Sequence, residues 1–187
     1  LETPLVGRAN LANVLAATAV AIECEVPLGA IAQRVGALRP AAHRGEVVKL
    51  AGGVTVIDDS YNANTTATRL ELEVLAGSRR AVRRVAVLGE MLELGDRAGA
   101  LHEDVGRAAA GAGLDALVAV GCPPAAALAE AAVAAGLSPA CVRYVPTSDE
   151  AADIVSRLVE AGDLVLVKGS RGVGIDLVVE RLKAERG

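Results

Sequence analysis

The 187 residues are 52% hydrophobic and 22% charged, with a net charge of −4, so one ample core can be buried and wholesale disorder is excluded. Aromatics make up 1%, with no Phe or Trp and only Tyr61 and Tyr144, which argues against stacking on single-stranded nucleic acid. The largest basic cluster, RRAVRR at residues 79–84, reads as a solvated loop before a strand, so no nucleic-acid partner is expected.

In chain order, apolar residues at helical spacing predict two short helices, roughly 10–23 and 28–36, separated by EVPLGA. The apolar run LANVLAATAVAI at 11–22 is too short to span a bilayer, and no membrane insertion is expected. LRPAAHRGE at 38–46 lacks periodicity and reads as a linker. EVVKL and VTVID, flanking Ala51-Gly52-Gly53, predict a β-hairpin.

Four further strands are predicted, RVAVLG (84–89), ALVAVG (116–121), VRYV (142–145) and LVLVKG (164–169). Helical segments are predicted at 66–76, 99–112, 124–135, 148–161 and 175–185. Short, continuously apolar strands alternating with helices indicate an α/β fold, a mostly parallel sheet covered on both faces. In such sheets ligands bind beyond the carboxyl ends of the strands. Cys24, Cys122 and Cys141 are odd in number and lack metal-like spacing, and they read as free thiols of a reducing cytoplasm.

Several polar groups fall on the predicted functional edge. Asp58, Asp59, Ser60, Tyr61, Asn62 and Asn64 crowd the exit of the VTVID strand. Capping by Asn64 or Thr65 accounts for one of them, but two adjacent acids must be solvated, paired or bound to a ligand. Glu90 and Glu93 follow the RVAVLG strand, where a short helical turn would place them on one side. Lys168, Ser170 and Arg171 sit among Gly169, Gly172 and Gly174, a loop able to offer N–H groups and cations to an anion. It is neither a Walker A sequence nor a G-x-G-x-x-G turn. Asn10 suits a helix N-cap, whereas Asn13 in the first turn is harder to dismiss. His102, without a visible partner, reads as structural, and Arg44 is a better phosphate ligand than His43. These patterns alone reach an α/β domain that binds a polar or anionic ligand.

Taken in order, GRANLANVLAA, HRGEV, VIDDSYNAN, VAVLGEMLELG, LHEDVG and LVKGSRG resemble the C-terminal part of the Mur ligase family. DDSYNAN and LGEMLELG are similar to the branch that adds D-Ala-D-Ala to UDP-MurNAc-tripeptide in peptidoglycan synthesis. The resemblance implies a Rossmann-like C-domain at residues 43–187, preceded by the last helices of a central ATPase domain at 1–42. Since the chain opens on Leu1 and carries no P-loop, it is expected to be a domain fragment, inactive alone. The implied cofactors are ATP and Mg2+, bound mainly by the central domain, and the implied state is a cytoplasmic monomer.

By the same resemblance, Asn10, Asn13, Arg44 and Asp59 match nucleotide-binding positions. Tyr61, Asn62, Asn64, Lys168, Ser170 and Arg171 fall where the substrates would lie, and no metal site is expected. The family often has His where Ala9 stands and Pro where Thr65 stands. Two other readings remain: a non-catalytic nucleotide- or anion-binding module, and a sibling ligase adding a different amino acid.

Overall fold

A computed structural model describes residues 1–5, 7–78 and 81–187, and for Arg8 and Ala9 the backbone alone. The chain divides into two compact units, Leu1–Ala41 and Ala42–Gly187.

The first unit is a helical hairpin of α1 (Arg8–Glu23) and α2 (Leu28–Gly36). Val14 of α1 packs with Ile31 and Val35 of α2, joined by Leu5 and Ala21. The first helix starts two residues before the predicted position, after Gly7 in a left-handed conformation (φ 96°), so Asn10 lies in the first turn and is not its N-cap.

The described residues of the second unit form six strands, β1 (Glu46–Lys49), β2 (Thr55–Asp59), β3 (Arg84–Gly89), β4 (Ala116–Val120), β5 (Val142–Val145) and β6 (Leu164–Lys168). They lie in the order β1-β2-β6-β3-β4-β5. Only the β1–β2 hairpin is antiparallel; the other pairings are parallel. Gly52 and Gly53 close that hairpin at φ 71° and 75°, where a side chain would be strained.

Strand alternation divides the core between two faces. Val85 and Val87 of β3 point toward α6 (Ser148–Leu158) and α7 (Asp176–Arg186), which add Ala151, Val155, Val178 and Leu182. Ala86 and Leu88 point the other way, toward α3 (Thr65–Gly77), α4 (Ala98–Gly111) and α5 (Pro123–Ala134). With few aromatics to fill space, small residues bring helices close: a Cβ on Gly106 of α4 would sit 2.2 Å from the Leu128 carbonyl of α5.

Helix α6 ends at Leu158, short of the predicted 161, because Val159 turns into the core. The Glu160 N–H then donates to the Asp163 carboxylate at 2.8 Å. The RRAVRR cluster is built in where it is described. Arg83 pairs with Glu160 and lies 3.7 Å from Asp163. The Arg84 guanidinium donates to the carbonyls of Leu75 (3.2 Å) and Ser78 (3.0 Å), satisfying the open end of α3. Arg79 and Arg80 lie outside the described residues.

Candidate functional site

The exit of β2 sorts its polar residues by alternation. Asp58 points to the α6/α7 face and is fully buried. One of its oxygens accepts from the Ser60 N–H (3.2 Å) and hydroxyl (2.6 Å), while the other meets His43 Nδ1 at 2.9 Å. The His43 carbonyl accepts from the Tyr61 N–H at 3.0 Å. Asp58 therefore ties the 43–45 linker to the strand end, an inward role for one of the two acids. The same tie seats the exposed Arg44 guanidinium over the Tyr61 ring, 4.1 Å from its centroid.

Asp59 points to the other face, in register with Lys168 on the neighbouring β6. The Lys168 ammonium, only 3% exposed, donates to the Asp59 carboxylate and to the Asn62 carbonyl (3.1 Å). A buried ammonium survives because both partners are in place. Glu71 of α3 adjoins this pair. Burial pushes its carboxyl above the ordinary 4.5, the Asp59 charge pushes the same way, and Lys168 opposes them. Glu71 lies mid-helix among leucines, and its spacing gave no hint of this neighbourhood.

Next along, Asn62 accepts the Ala63 N–H (2.9 Å) through its side-chain oxygen, and its NH2 has no partner among the described residues. Asn64 caps α3, its side chain accepting from Ala67 N–H at 2.9 Å. Both asparagines and Tyr61 are exposed.

The loop after β6 returns to the same rim. Ser170 is buried: its N–H donates to the Glu90 carbonyl (3.2 Å), and its hydroxyl accepts the Leu92 N–H (3.0 Å). Gly89 and Gly169 permit this closeness, since a Cβ on Gly169 would lie 3.0 Å from the Gly89 Cα and from Ile175. Arg171 stays exposed, with one guanidinium nitrogen 3.0 Å from Asp176.

The exit of β3 departs from the predicted helical turn. Residues 90–94 are not helical. The Glu90 carboxylate accepts the Cys122 N–H at 2.7 Å and joins β3 to β4, whereas Glu93 takes a left-handed backbone (φ 64°). The two acids line different pockets, Glu90 beside Cys122 and Glu93 with Arg171. His102, fully buried, holds this exit from behind: Nδ1 donates to the Ala98 carbonyl (2.7 Å) and Nε2 accepts the Met91 N–H (2.9 Å). Both of its ring nitrogens are thus engaged within the fold.

A polar pocket of about 190 Å3 opens where the three exits converge. Tyr61 and Asn62 from β2, Leu92 and Glu93 from β3, and Ser170, Arg171 and Gly172 from β6 line it. Asn10 and Asn13 belong to the first unit, while the other eight candidate residues belong to the second. Asn13 is exposed. Among the described residues, no three His, Cys, Asp or Glu side chains are grouped to hold a metal ion. No helix among them is long and apolar enough to cross a membrane.

A mostly parallel, doubly covered sheet with a polar pocket at its carboxyl rim defines a ligand-binding α/β domain. The family described as Mur ligase, glutamate ligase domain, matches residues 43–171. The chain belongs to the Mur ligase family. It is 36% identical, over 96% of its length, to the UDP-N-acetylmuramoyl-tripeptide--D-alanyl-D-alanine ligase of Mycobacterium tuberculosis, and spans 38% of that protein. A MurF structure from Acinetobacter baumannii superposes with a TM-score of 0.81 at 30% identity, covering 97% of this chain and 39% of the other. The MurF ligase of Thermotoga maritima in complex with ADP gives 0.78 at 26% identity, with 97% and 39% covered. The chain therefore corresponds to well under half of these relatives' length.

Proposed function

We propose that the chain is the C-terminal part of an ATP-dependent ligase that joins D-Ala-D-Ala to UDP-N-acetylmuramoyl-tripeptide. On this reading residues 1–42 are the last helices of a central ATPase domain, and residues 43–187 are the C-domain. The observation that carries it is the single rim on which the β2, β3 and β6 exits enclose one polar pocket. Relatives bearing that activity in their names match 96% of the chain.

A carboxylate is a poor acyl donor, so the tripeptide's terminal carboxylate first takes the γ-phosphoryl group of ATP, forming an acyl phosphate and releasing ADP. The dipeptide amine then attacks the acyl carbon, the C–O bond to phosphate breaks, and the nitrogen sheds its proton as the amide forms. Holding the reactants together and neutralising phosphate charge supply most of the acceleration. Arg44 is assigned to neutralise that charge, a role supported by its exposure, its permanent charge and its stacking over Tyr61. Asp59 belongs to the nucleotide side of the rim, and Asn10 and Asn13 are assigned to the adenine.

Tyr61, Asn62, Asn64 and Arg171 face the peptide substrates. Lys168 and Ser170, both buried, serve that group by fixing the loops that carry it. The carboxylates among the described residues do not form a metal cage, so Mg2+ is assigned to the triphosphate and to the central domain.

The test is ADP release by the longer protein containing this chain, with UDP-MurNAc-tripeptide and D-Ala-D-Ala as co-substrates. Arg44→Ala is expected to lower kcat by about 100-fold, in the range for removing one transition-state charge contact. Asn64→Ser keeps a helix cap while deleting the carboxamide, and a fall in kcat/KM without a fall in Tm is expected. Full turnover in both variants, or a preference for a single amino acid over the dipeptide, would refute the assignment.

A further inference from the structure

Glu93 stands out on the pocket wall. Among the described residues it is one of three non-glycine residues in left-handed backbone, with Glu25 and His43. Such a conformation costs an L-residue stability, and glycine would avoid the cost. His43 at least has a contact to set against it, through Asp58. Glu93 has none: its carboxylate is exposed and meets no hydrogen-bond or ion-pair partner among the described residues.

The loop that imposes this backbone is nevertheless firmly held. The Met91 N–H is fixed by His102 and the Leu92 N–H by Ser170, so Glu93 projects from two anchored neighbours. An anchored, strained and unpaired carboxylate beside a pocket is the arrangement of a group reserved for a ligand. The opposite charge on the same pocket comes from Arg171, whose guanidinium is only partly engaged by Asp176. On the same pocket the Asn62 NH2 also has no partner among the described residues. A small pocket with one carboxylate, one guanidinium and one amide suits a short zwitterion in an extended pose.

We propose that Glu93 is the residue that recognises the ammonium of the incoming amine substrate, with Arg171 receiving the carboxylate at its other end. The assignment rests on the reading of the chain as part of a ligase that consumes a dipeptide. Glu93 so placed is a specificity-determining and positioning residue: it selects a free amino terminus and holds it at the strand rim, where the ammonium gives its proton to solvent water to form the neutral amine.

The experiment uses the longer ligase and measures KM for D-Ala-D-Ala and for ATP, inhibition by N-acetyl-D-Ala-D-Ala, and Tm. Replacing a charge-assisted contact by a neutral one in Glu93→Gln should raise KM for the dipeptide roughly ten-fold or more, with KM for ATP unchanged. Inhibition by the N-acetylated dipeptide, which has no ammonium, should not change. Glu93→Gly removes the carboxylate and the backbone strain together, so Tm should rise while dipeptide KM rises as well. That pairing separates a ligand role from a structural one. An unchanged dipeptide KM in both variants of an active ligase overturns the assignment alone. No dipeptide-dependent ADP release by the unsubstituted ligase overturns the reading of function beneath it.

Discussion

Lys168 shows how much one side chain can hold. Its ammonium joins the β6 strand to the Asp59 carboxylate and the Asn62 carbonyl, and nothing else among the described residues gives that carboxylate a cation partner. Lys168→Met would leave an acid and a carbonyl facing each other across a mostly dry gap. The expected loss is about 3 kcal/mol of unfolding free energy, measured in urea. Asp59→Asn combined with Lys168→Met should recover part of it, because the unpaired charge is gone. A loss below about 1 kcal/mol in the single variant would show that the pair is looser than its geometry.

The residues facing the pocket were largely visible in the sequence, as an excess of polar groups at a strand exit. Their division of labour was not. Asp58 and Asp59 are chemically identical neighbours, yet one braces the His43 linker and the other accepts from Lys168. Strand alternation separates them, but which face meets which partner depends on residues far along the chain.

At the scale of elements, the rim is set by how closely backbones approach. Gly106 lets α4 press against α5, and a methyl group there would collide with the Leu128 carbonyl at 2.2 Å and the Ala132 nitrogen at 3.1 Å. Both obstacles are backbone and cannot rotate aside. Gly106→Ala is therefore expected to destabilise the protein by about 2 kcal/mol despite its better helix propensity, a shift in urea midpoint that denaturation would show. A neutral or stabilising result would mean that the helices part easily.

Strands and helices themselves were legible, because continuous apolar runs and Ala/Leu periodicity are local properties. The exceptions lie where a contact overrides a local pattern. Helix α6 stops early for Val159, and α1 starts early after Gly7. The segment after β3 is not helical because Glu90 holds the Cys122 N–H at the start of α5 and Ser170 holds Leu92.

For the whole molecule, carboxyls drawn out of water contribute a pH-dependent part of the stability. Burial raises Glu71, and it also raises Asp163 against the opposing hydrogen bond from Glu160. A carboxyl raised on folding binds its proton more tightly in the native state than in the unfolded one. Its contribution to stability therefore falls as pH rises through the raised value, and recovers on acidification toward the ordinary 4.5. Glu71→Gln should raise Tm modestly at neutral pH, and the gain should shrink as the solution is acidified toward 4.5. A gain that grows on acidification would reverse the sign of this coupling. Calorimetry across that window decides it.

The sequence by itself determined the alternation of strand and helix, the two-faced core and the stretch of chain on which polar chemistry concentrates. It also carried the family resemblance, since those motifs are words in order along the chain. Only the tertiary structure decided that Lys168 and Ser170 turn inward, that Glu90 and Glu93 part company, and that Glu93 is left unpaired beside Arg171. The reason is physical. Periodicity and turn chemistry act between residues a few positions apart, whereas a buried charge is settled by partners more than a hundred residues away. Asp59 and Lys168 meet because β6 inserts between β2 and β3, a choice that no local pattern records.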